Sequence, residues 1–383
     1  MAQTHQGDAA EGAGTAGGTA EAPIWLLLGE KLGDNAQVVN LAHAVGLPWL
    51  EKSVVVRPEW REGKPRVRPA LDHLDLERSD PLESPWPRIV ITAGRRMSSV
   101  ALWIKRASGG RTRVVLVGKP RRRLREIDLI VAAAHYVLPD APNVVRHGLP
   151  FMHVDEARLE AARSSWASRL ADLPRPLTAL MVGGPTGGLR FDLDTGRTLF
   201  ERSLAIAEAQ GGSLYVTTSR RTPAAVVDWL RSAQTGRSRL YVFDPAASRD
   251  ENPYLGLLAL ADHFVVTTDS ASMMVEVAQL GRPLSLHPLE ADTGGLERAL
   301  EGLGLLRRLD PRQDPQPAGG LRARLMYRLG WPMHSRDLSA IPRWLVERGR
   351  AVWLGDPPTV PPPFEDEALA AIAARIRAMV EAP

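Results

Sequence analysis

Cysteine is absent, lysine is scarce, aromatic residues are few and no long apolar run occurs. The lack of cysteine excludes a disulfide framework, a thiolate metal site and a cysteine nucleophile. No apolar run approaches about 18 residues, so no transmembrane helix is expected. Residues Met1 to Pro23 hold Gly, Ala, Thr and acidic residues without a basic start or an apolar block. That stretch is expected to be a disordered tail rather than a signal peptide. Together these absences place the chain in the cytoplasm, with peripheral contact to a membrane surface left open. Only five of the 48 basic residues are lysine. A GC-rich genome accounts for that bias; the alternative is that some arginines grip phosphate through bidentate hydrogen bonds. Asp and Glu total 44 and the formal charge is +4, too balanced for a dedicated nucleic-acid binder, so no nucleic-acid partner is expected.

What is present is enough apolar material for two domains, since 383 residues with 44% hydrophobic content exceed one ordinary core. Apolar runs stopped by glycine or polar turns alternate with helical patterns along the chain. In the first half they are Ile24 to Leu28, Val54 to Val56, Ile89 to Thr92, Arg113 to Val117 and Leu129 to Ala132. In the second half they are Leu177 to Val182, Ser213 to Thr218, Leu240 to Phe243, Phe264 to Thr267 and Leu284 to Leu286. Alternation of this kind predicts parallel sheets with right-handed crossovers, hence two Rossmann-like doubly wound α/β domains with a cleft between them. Pro174-Arg175-Pro176 marks the expected boundary. The expected division is a tail 1–23, a first domain 24–172, a second domain 173–320 and a helical segment 321–383 that packs back on them. The final helix, with Leu369, Ile372, Ile376 and Met379 at helical spacing, needs an apolar surface to lie on.

Ligands of open parallel sheets bind beyond the carboxyl ends of the strands, so the residues just after each strand are the candidates. Thr268-Asp269-Ser270-Ala271-Ser272-Met273 opens a helix with small hydroxyl residues, leaving outward amides and a positive dipole end that suit a phosphate. Glu276, further along, is in reach of a sugar hydroxyl; an ordinary helix capped by Ser270 or Asp269 fits the same residues. Gly183-Gly184-Pro185, followed by Thr186-Gly187-Gly188, lets backbone approach a ligand closely, or simply turns. Ser219-Arg220-Arg221-Thr222 could neutralise a departing pyrophosphate, or pair with a local carboxylate. On the other wall, Gly29, Lys31, Gly94, Arg95 and Arg96 suggest an acceptor carrying phosphate or carboxylate, and solvated surface charge is the alternative. Glu30, Asp34 and His135 are the post-strand groups able to take an acceptor proton. His43, His147 and His153 show no metal-ligand pattern, and neither metal nor resident cofactor is expected.

The run Ala271 to Pro283, with Glu276, Ala278, Gly281 and Pro283 at these intervals, resembles the nucleotide-sugar motif of GT-B glycosyltransferases. The family that adds N-acetylglucosamine in peptidoglycan synthesis is a notable example. The resemblance implies that Ser270, Ala271, Ser272 and Met273 contact a diphosphate, that Glu276 holds the ribose, and that catalysis needs no bound metal. A wider resemblance joins Gly29 to Gln37, Thr92 to Arg96, Ala101 to Arg106, Val182 to Pro185, Thr218 to Pro223, Asn252-Pro253-Tyr254 and Thr268 to Ser270. Over about residues 24 to 340 the chain is similar to the mitochondrial-fission "elongated mitochondria" (ELM-type) family. That family includes bacterial members of unsettled function and plant members that recruit a dynamin-related protein to mitochondria. A bacterium has no mitochondria to divide, so if the arginine bias marks a bacterial chain the recruiting role does not simply transfer. The resemblances imply transfer of sugar from a nucleoside-diphosphate sugar to an anionic or lipid-linked acceptor. The alternative is a non-catalytic adaptor acting through a protein partner.

Overall fold

The computed structural model describes residues 22–61, 68–120, 123–152, 154–186, 189–290, 292, 303, 310–313, 337–364 and 367–382. Two parallel sheets, each of six strands, dominate them. The first has the order β2-β1-β5-β6-β7-β8, built from β1 (Ile24–Leu28), β2 (Trp49–Ser53), β5 (Ile89–Ala93), β6 (Arg113–Val117), β7 (Leu129–Ala133) and β8 (Val144–His147). The second has the order β11-β10-β9-β12-β13-β14. Its strands are β9 (Leu177–Met181), β10 (Ser213–Thr217), β11 (Ser238–Tyr241), β12 (His263–Thr267), β13 (Leu284–His287) and β14 (Val352–Trp353). Counted within its own half, the second sheet runs 3-2-1-4-5-6, the dinucleotide-fold order. Both halves therefore match the expected α/β class.

Central strands are covered on both faces by helices, which is why they read as continuous apolar runs rather than alternating ones. Ile24–Leu28, Ile89–Ala93, Leu177–Met181 and His263–Thr267 are buried along their whole length. Edge strands lack that cover. Trp49–Ser53 is mostly exposed, and the sequence places a strand instead at Val54 to Val56. There the chain forms a separate antiparallel ribbon, β3 (Val55–Val56) with β4 (Leu74–Asp75).

Helices α1 (Leu32–Val45), α2 (Arg95–Ala107) and α3 (Glu156–Trp166) belong to the first half of the chain. The second half contributes α4 (Leu193–Ala209), α5 (Ala224–Ser232), α6 (Tyr254–Leu260), α7 (Ala271–Gln279), α8 (Ala340–Glu347) and α9 (Glu367–Glu381). Helix α3, expected to close the first domain, buries Leu159, Ala162 and Trp166 in the core of the second sheet, together with Leu170 and Leu173. Asp155 caps it by accepting from the Arg158 amide at 3.1 Å. Its amphipathic stripe is legible in sequence, but a stripe does not say which core it joins. Helix α9 returns to the first half: Ile372, Ala373, Ile376 and Val380 pack with Val38, Leu41 and Val45 of α1. Arg377 donates to the last carbonyls of α1, at Ala44 and Val45. Among the described residues no helix is long and apolar enough to cross a membrane. The tail 1–21, Gly187, Gly188, His153 and most of 291–336 lie outside the described residues.

Candidate functional site

In each sheet the chain winds outward in both directions from one point, between β1 and β5 and between β9 and β12. At such switch points the post-strand loops splay apart and leave a crevice. Strands β9 and β12 pair in register from Thr178 with His263 to Met181 with Val266, so their following loops start side by side.

Asp269 ties these loops together. Its side chain is fully buried and pairs with Arg221 at 2.7 Å. It also accepts from the Gly184 amide at 3.1 Å and from the Thr267 hydroxyl at 2.6 Å. The same Thr267 hydroxyl accepts from the Gly183 amide at 2.9 Å, and the Thr222 hydroxyl donates to the Gly183 carbonyl at 2.7 Å. The loops after β9, β10 and β12 thus form one knot. Burial pushes the Asp269 carboxyl up, opposed by Thr267, Arg221 and Gly184.

The knot corrects two expectations. A Cβ on Gly183 would stand 2.1 Å from Asp269 Oδ1, and one on Gly184 would stand 2.1 Å from the Arg221 carbonyl oxygen. These glycines admit neighbouring protein, and their amides are spent on Thr267 and Asp269 rather than left open as a phosphate cradle. Arg221 is likewise committed to Asp269. Ser219 shapes its own turn, with its hydroxyl accepting from the Arg221 amide at 3.2 Å. Pro185 and Arg220 are exposed, and Arg220 makes no ion pair among the described residues.

Helix α7 starts immediately after the knot. Neither Ser270 nor Asp269 caps it: the Ser270 side chain makes no capping bond, and its hydroxyl lies 3.4 Å from that of Ser272. The first helical amide with a partner is Met274, which donates to the Ser270 carbonyl at 3.2 Å. Among the described residues the amides of Ala271, Ser272 and Met273 are without partners. Ser272 is exposed, and Ser270, Ala271 and Met273 are half-buried, so this positive helix end reaches solvent. Farther along, Gln279 donates at 2.7 Å to the Met152 carbonyl, in the strand-to-helix passage that links the two halves.

Glu276 sits five residues into α7, about 8 Å along the axis from its start. Burial pushes its carboxyl up, while the Tyr254 hydroxyl and the Arg158 charge pull it down. Tyr254 donates to Glu276 Oε2, and burial beside Glu276 keeps the phenol protonated well above its ordinary range.

On the first sheet, Asn35 clamps the loop after β1, accepting from the Gly29 amide at 3.1 Å and donating to the Gly29 carbonyl at 2.7 Å. Asp34 Oδ2 lies 3.1 Å from where a Cβ on Gly94 would stand, so the first turn of α1 meets the loop after β5. Gly94 has φ +84° and precedes α2, whose first turn carries Arg95 and Arg96 with no acidic residue and no side-chain cap. Cations are unfavourable at that end of a helix unless an anion offsets them. Arg96 donates to the Arg61 carbonyl. Lys31 is exposed. Of the groups expected to take a proton, Glu30 pairs with Arg61 at 2.6 Å. His135 is only 6% exposed, and its carbonyl accepts from the Asp337 amide at 2.8 Å. Asp34 is half-buried. Among the described residues no cluster of three His, Asp or Glu side chains is placed to hold a metal ion.

The family model described as Mitochondrial fission ELM1 matches residues 33–322, most of the chain. The chain belongs to the mitochondrial fission ELM1 family. It is 30% identical over 224 residues to Mitochondrial fission protein ELM1 of Arabidopsis thaliana, covering 53% of this chain and 52% of the relative. The chain thus spans about half the length of that relative. Over 295 residues it is 22% identical to Uncharacterized protein RP120 of Rickettsia prowazekii, covering 68% of this chain and 82% of that one. Among solved structures, the catalytic domain of Starch Synthase IV from Arabidopsis thaliana bound to ADP and acarbose matches at a TM-score of 0.44 and 10% identity. That match covers 94% of this chain and 99% of the other. Likeness that loose carries no argument, and the doubly wound class rests on the strand order.

Sequence reasoning missed Asp269 as the centre of the knot and Tyr254 as the partner of Glu276. A Thr-x-Asp pair after one strand, facing Gly-Gly after another, is the signal that marks the first. The second shows in sequence only as part of the family's Asn252-Pro253-Tyr254.

Proposed function

We propose that this chain binds a nucleoside-diphosphate sugar at the start of α7 and transfers the sugar to an acceptor bearing phosphate or carboxylate, lipid-linked acceptors included. The observation that carries the reading is the uncapped, solvent-reaching first turn of α7, with Glu276 one and a half turns behind it. A diphosphate accepts from the Ala271, Ser272 and Met273 amides, and Glu276 accepts from the ribose hydroxyls of the same nucleotide. Arg220 neutralises charge on the departing diphosphate. In the displacement the acceptor oxygen bonds to the anomeric carbon, the bond from that carbon to the diphosphate oxygen breaks, and the acceptor proton passes to a carboxylate. Glu30 is held by Arg61 and His135 is covered, so Asp34 is the base this reading assigns. Lys31, Arg95 and Arg96 face the acceptor's anionic group. The work is done in the cytoplasm, with lipid-linked acceptors drawing the protein to a membrane surface.

Thermal stabilisation by nucleoside diphosphates and their sugars tests the reading, because a ligand at 100 times its Kd adds about 2.7 kcal/mol. Absence of any shift across the panel ends it. A second reading, a non-catalytic protein that works through a protein partner, is favoured by the commitment of Glu30 to Arg61 and the cover over His135. Binding of nucleotide without turnover of any sugar donor selects it.

A further inference from the structure

Glu276 is held from one side only. The Tyr254 hydroxyl donates to Oε2, whereas Oε1 has no partner among the described residues. A carboxylate offers about four acceptor positions, so one bond leaves room for two more donors on neighbouring carbons. The support for Tyr254 is itself built in. Asn252 Oδ1 accepts from the Tyr254 amide at 3.0 Å, turning the chain into α6 so that the phenol starts the helix. The ring packs against the core that holds Trp166, Leu257 and Val275. Helix α3 lies against α6 and supplies the Arg158 charge that favours the ionised carboxyl. A glutamate on a helix surface samples many rotamers, and fixing one beforehand removes an ordering cost from ligand binding.

We propose that Tyr254 is a positioning residue that locks the Glu276 carboxylate to accept from a vicinal diol, so that this site distinguishes ribonucleotides from nucleotides lacking both ribose hydroxyls. The inference rests on the nucleotide reading of the α7 site and deepens it by naming what holds Glu276 in place for the ribose.

Titration calorimetry on the full chain tests it with ADP, UDP, their 2′,3′-dideoxy forms and inorganic pyrophosphate. The wild-type chain binds at least one ribonucleotide about tenfold more tightly than its dideoxy form. Tyr254→Phe, which keeps the ring and removes the donor, brings that ratio to within about twofold and leaves pyrophosphate affinity unchanged. A merely structural role would weaken all ligands together and keep the ratio. Glu276→Gln accepts the tyrosine bond but loses charge, and it lowers the ratio as well. If Tyr254→Phe does not fold, Asn252→Ala loosens Tyr254 without touching the carboxylate and carries the same expectation. A ratio unchanged in these variants overturns the role of Tyr254 and leaves nucleotide binding standing. A wild-type chain that binds pyrophosphate and both nucleotide forms equally overturns diol reading. One that binds no nucleotide at all overturns the α7 site itself.

Discussion

The two switch points solve one packing problem with different electrostatics. At each, an acidic side chain sits against a glycine of the neighbouring loop: Asp34 against Gly94 in the first half and Asp269 against Gly183 in the second. Asp34 is half-buried, and the nearby pair of Glu30 with Arg61 is some 40% exposed on both sides. Asp269 is wholly enclosed. The first helix mouth carries two arginines of its own, whereas the first turn of the second carries no charged residue and has Arg221 of another loop beside it. Its floor is the paired Asp269 and Arg221, and its amides are open. An anion arriving there meets helix dipole beside a guanidinium that already has a carboxylate partner, and that asymmetry separates the proposed donor wall from the proposed acceptor wall.

Acid treatment sharpens the comparison most. Burial holds His263 and His287 at about 4 in the second sheet, with Arg202 and Arg312 adding to the effect on His287. Burial likewise holds His147 at about 4 in the first. A histidine whose folded pKa lies below its unfolded value favours the folded state above the unfolded value, and that contribution is lost as pH falls toward the folded one. From about 6.5 down to about 4, each site removes on the order of 3 kcal/mol. Among the described residues the second half has two sites held at about 4 and the first has one, although burial also lowers His73 beside the β3–β4 ribbon of the first half. Asp269, raised by burial, opposes the trend, because its cost is relieved as pH falls below its folded value. Protection factors of the amides in β9, β10 and β12, taken relative to the intrinsic exchange rate at each pH, should therefore fall more steeply between pH 7 and pH 4.5 than those in β1, β5 and β6. An equal fall in both sheets breaks the asymmetry.

Glycine substitutions come next in size. Gly184→Ala drives a methyl onto the Arg221 backbone carbonyl at 2.1 Å, which no rotamer change relieves, and it should cost about 3 kcal/mol or more. Gly94→Ala meets only the end of the Asp34 side chain at 3.1 Å, but it must hold φ +84°, a cost of about 1 to 2 kcal/mol. Urea midpoints at constant m-value measure both. A smaller loss for Gly184→Ala would mean that the knot is looser than its hydrogen bonds indicate.

That contrast also explains what could be read from the chain alone. Leu177 to Met181 and Ile89 to Ala93 announce themselves because burial on both faces demands unbroken apolar runs. Trp49–Ser53, Val144–His147 and the two residues of β14 do not, since edge strands carry residues such as Glu51, Lys52 and Arg146 that solvent tolerates. The start of α7 is legible because small hydroxyl residues follow a buried apolar run, a pattern that opens helices. The knot is not, because Asp269 reaches Gly184 across 85 positions, and only the order of β9 and β12 brings them together.

The paired arginines after β10 include the smallest effect and give the most direct separation of scaffold from site. Arg221→Ala leaves the enclosed Asp269 without its cation. Because Arg221 is 34% exposed, solvent weakens the pair, and a loss of about 2 kcal/mol in stability is expected rather than the larger penalty of a fully buried one. Arg220→Ala removes an exposed guanidinium with no ion pair among the described residues, so stability should stay within about 0.5 kcal/mol. A guanidinium that meets diphosphate at the edge of α7 contributes one charge-assisted hydrogen bond in contact with water, so the same variant should weaken nucleoside-diphosphate binding by about 1 kcal/mol. Melting and titration of both variants at one salt concentration decide the matter. If Arg221→Ala weakens binding at unchanged stability while Arg220→Ala does neither, Asp269 serves to present Arg221 to the ligand, and the floor of the α7 site is part of its chemistry.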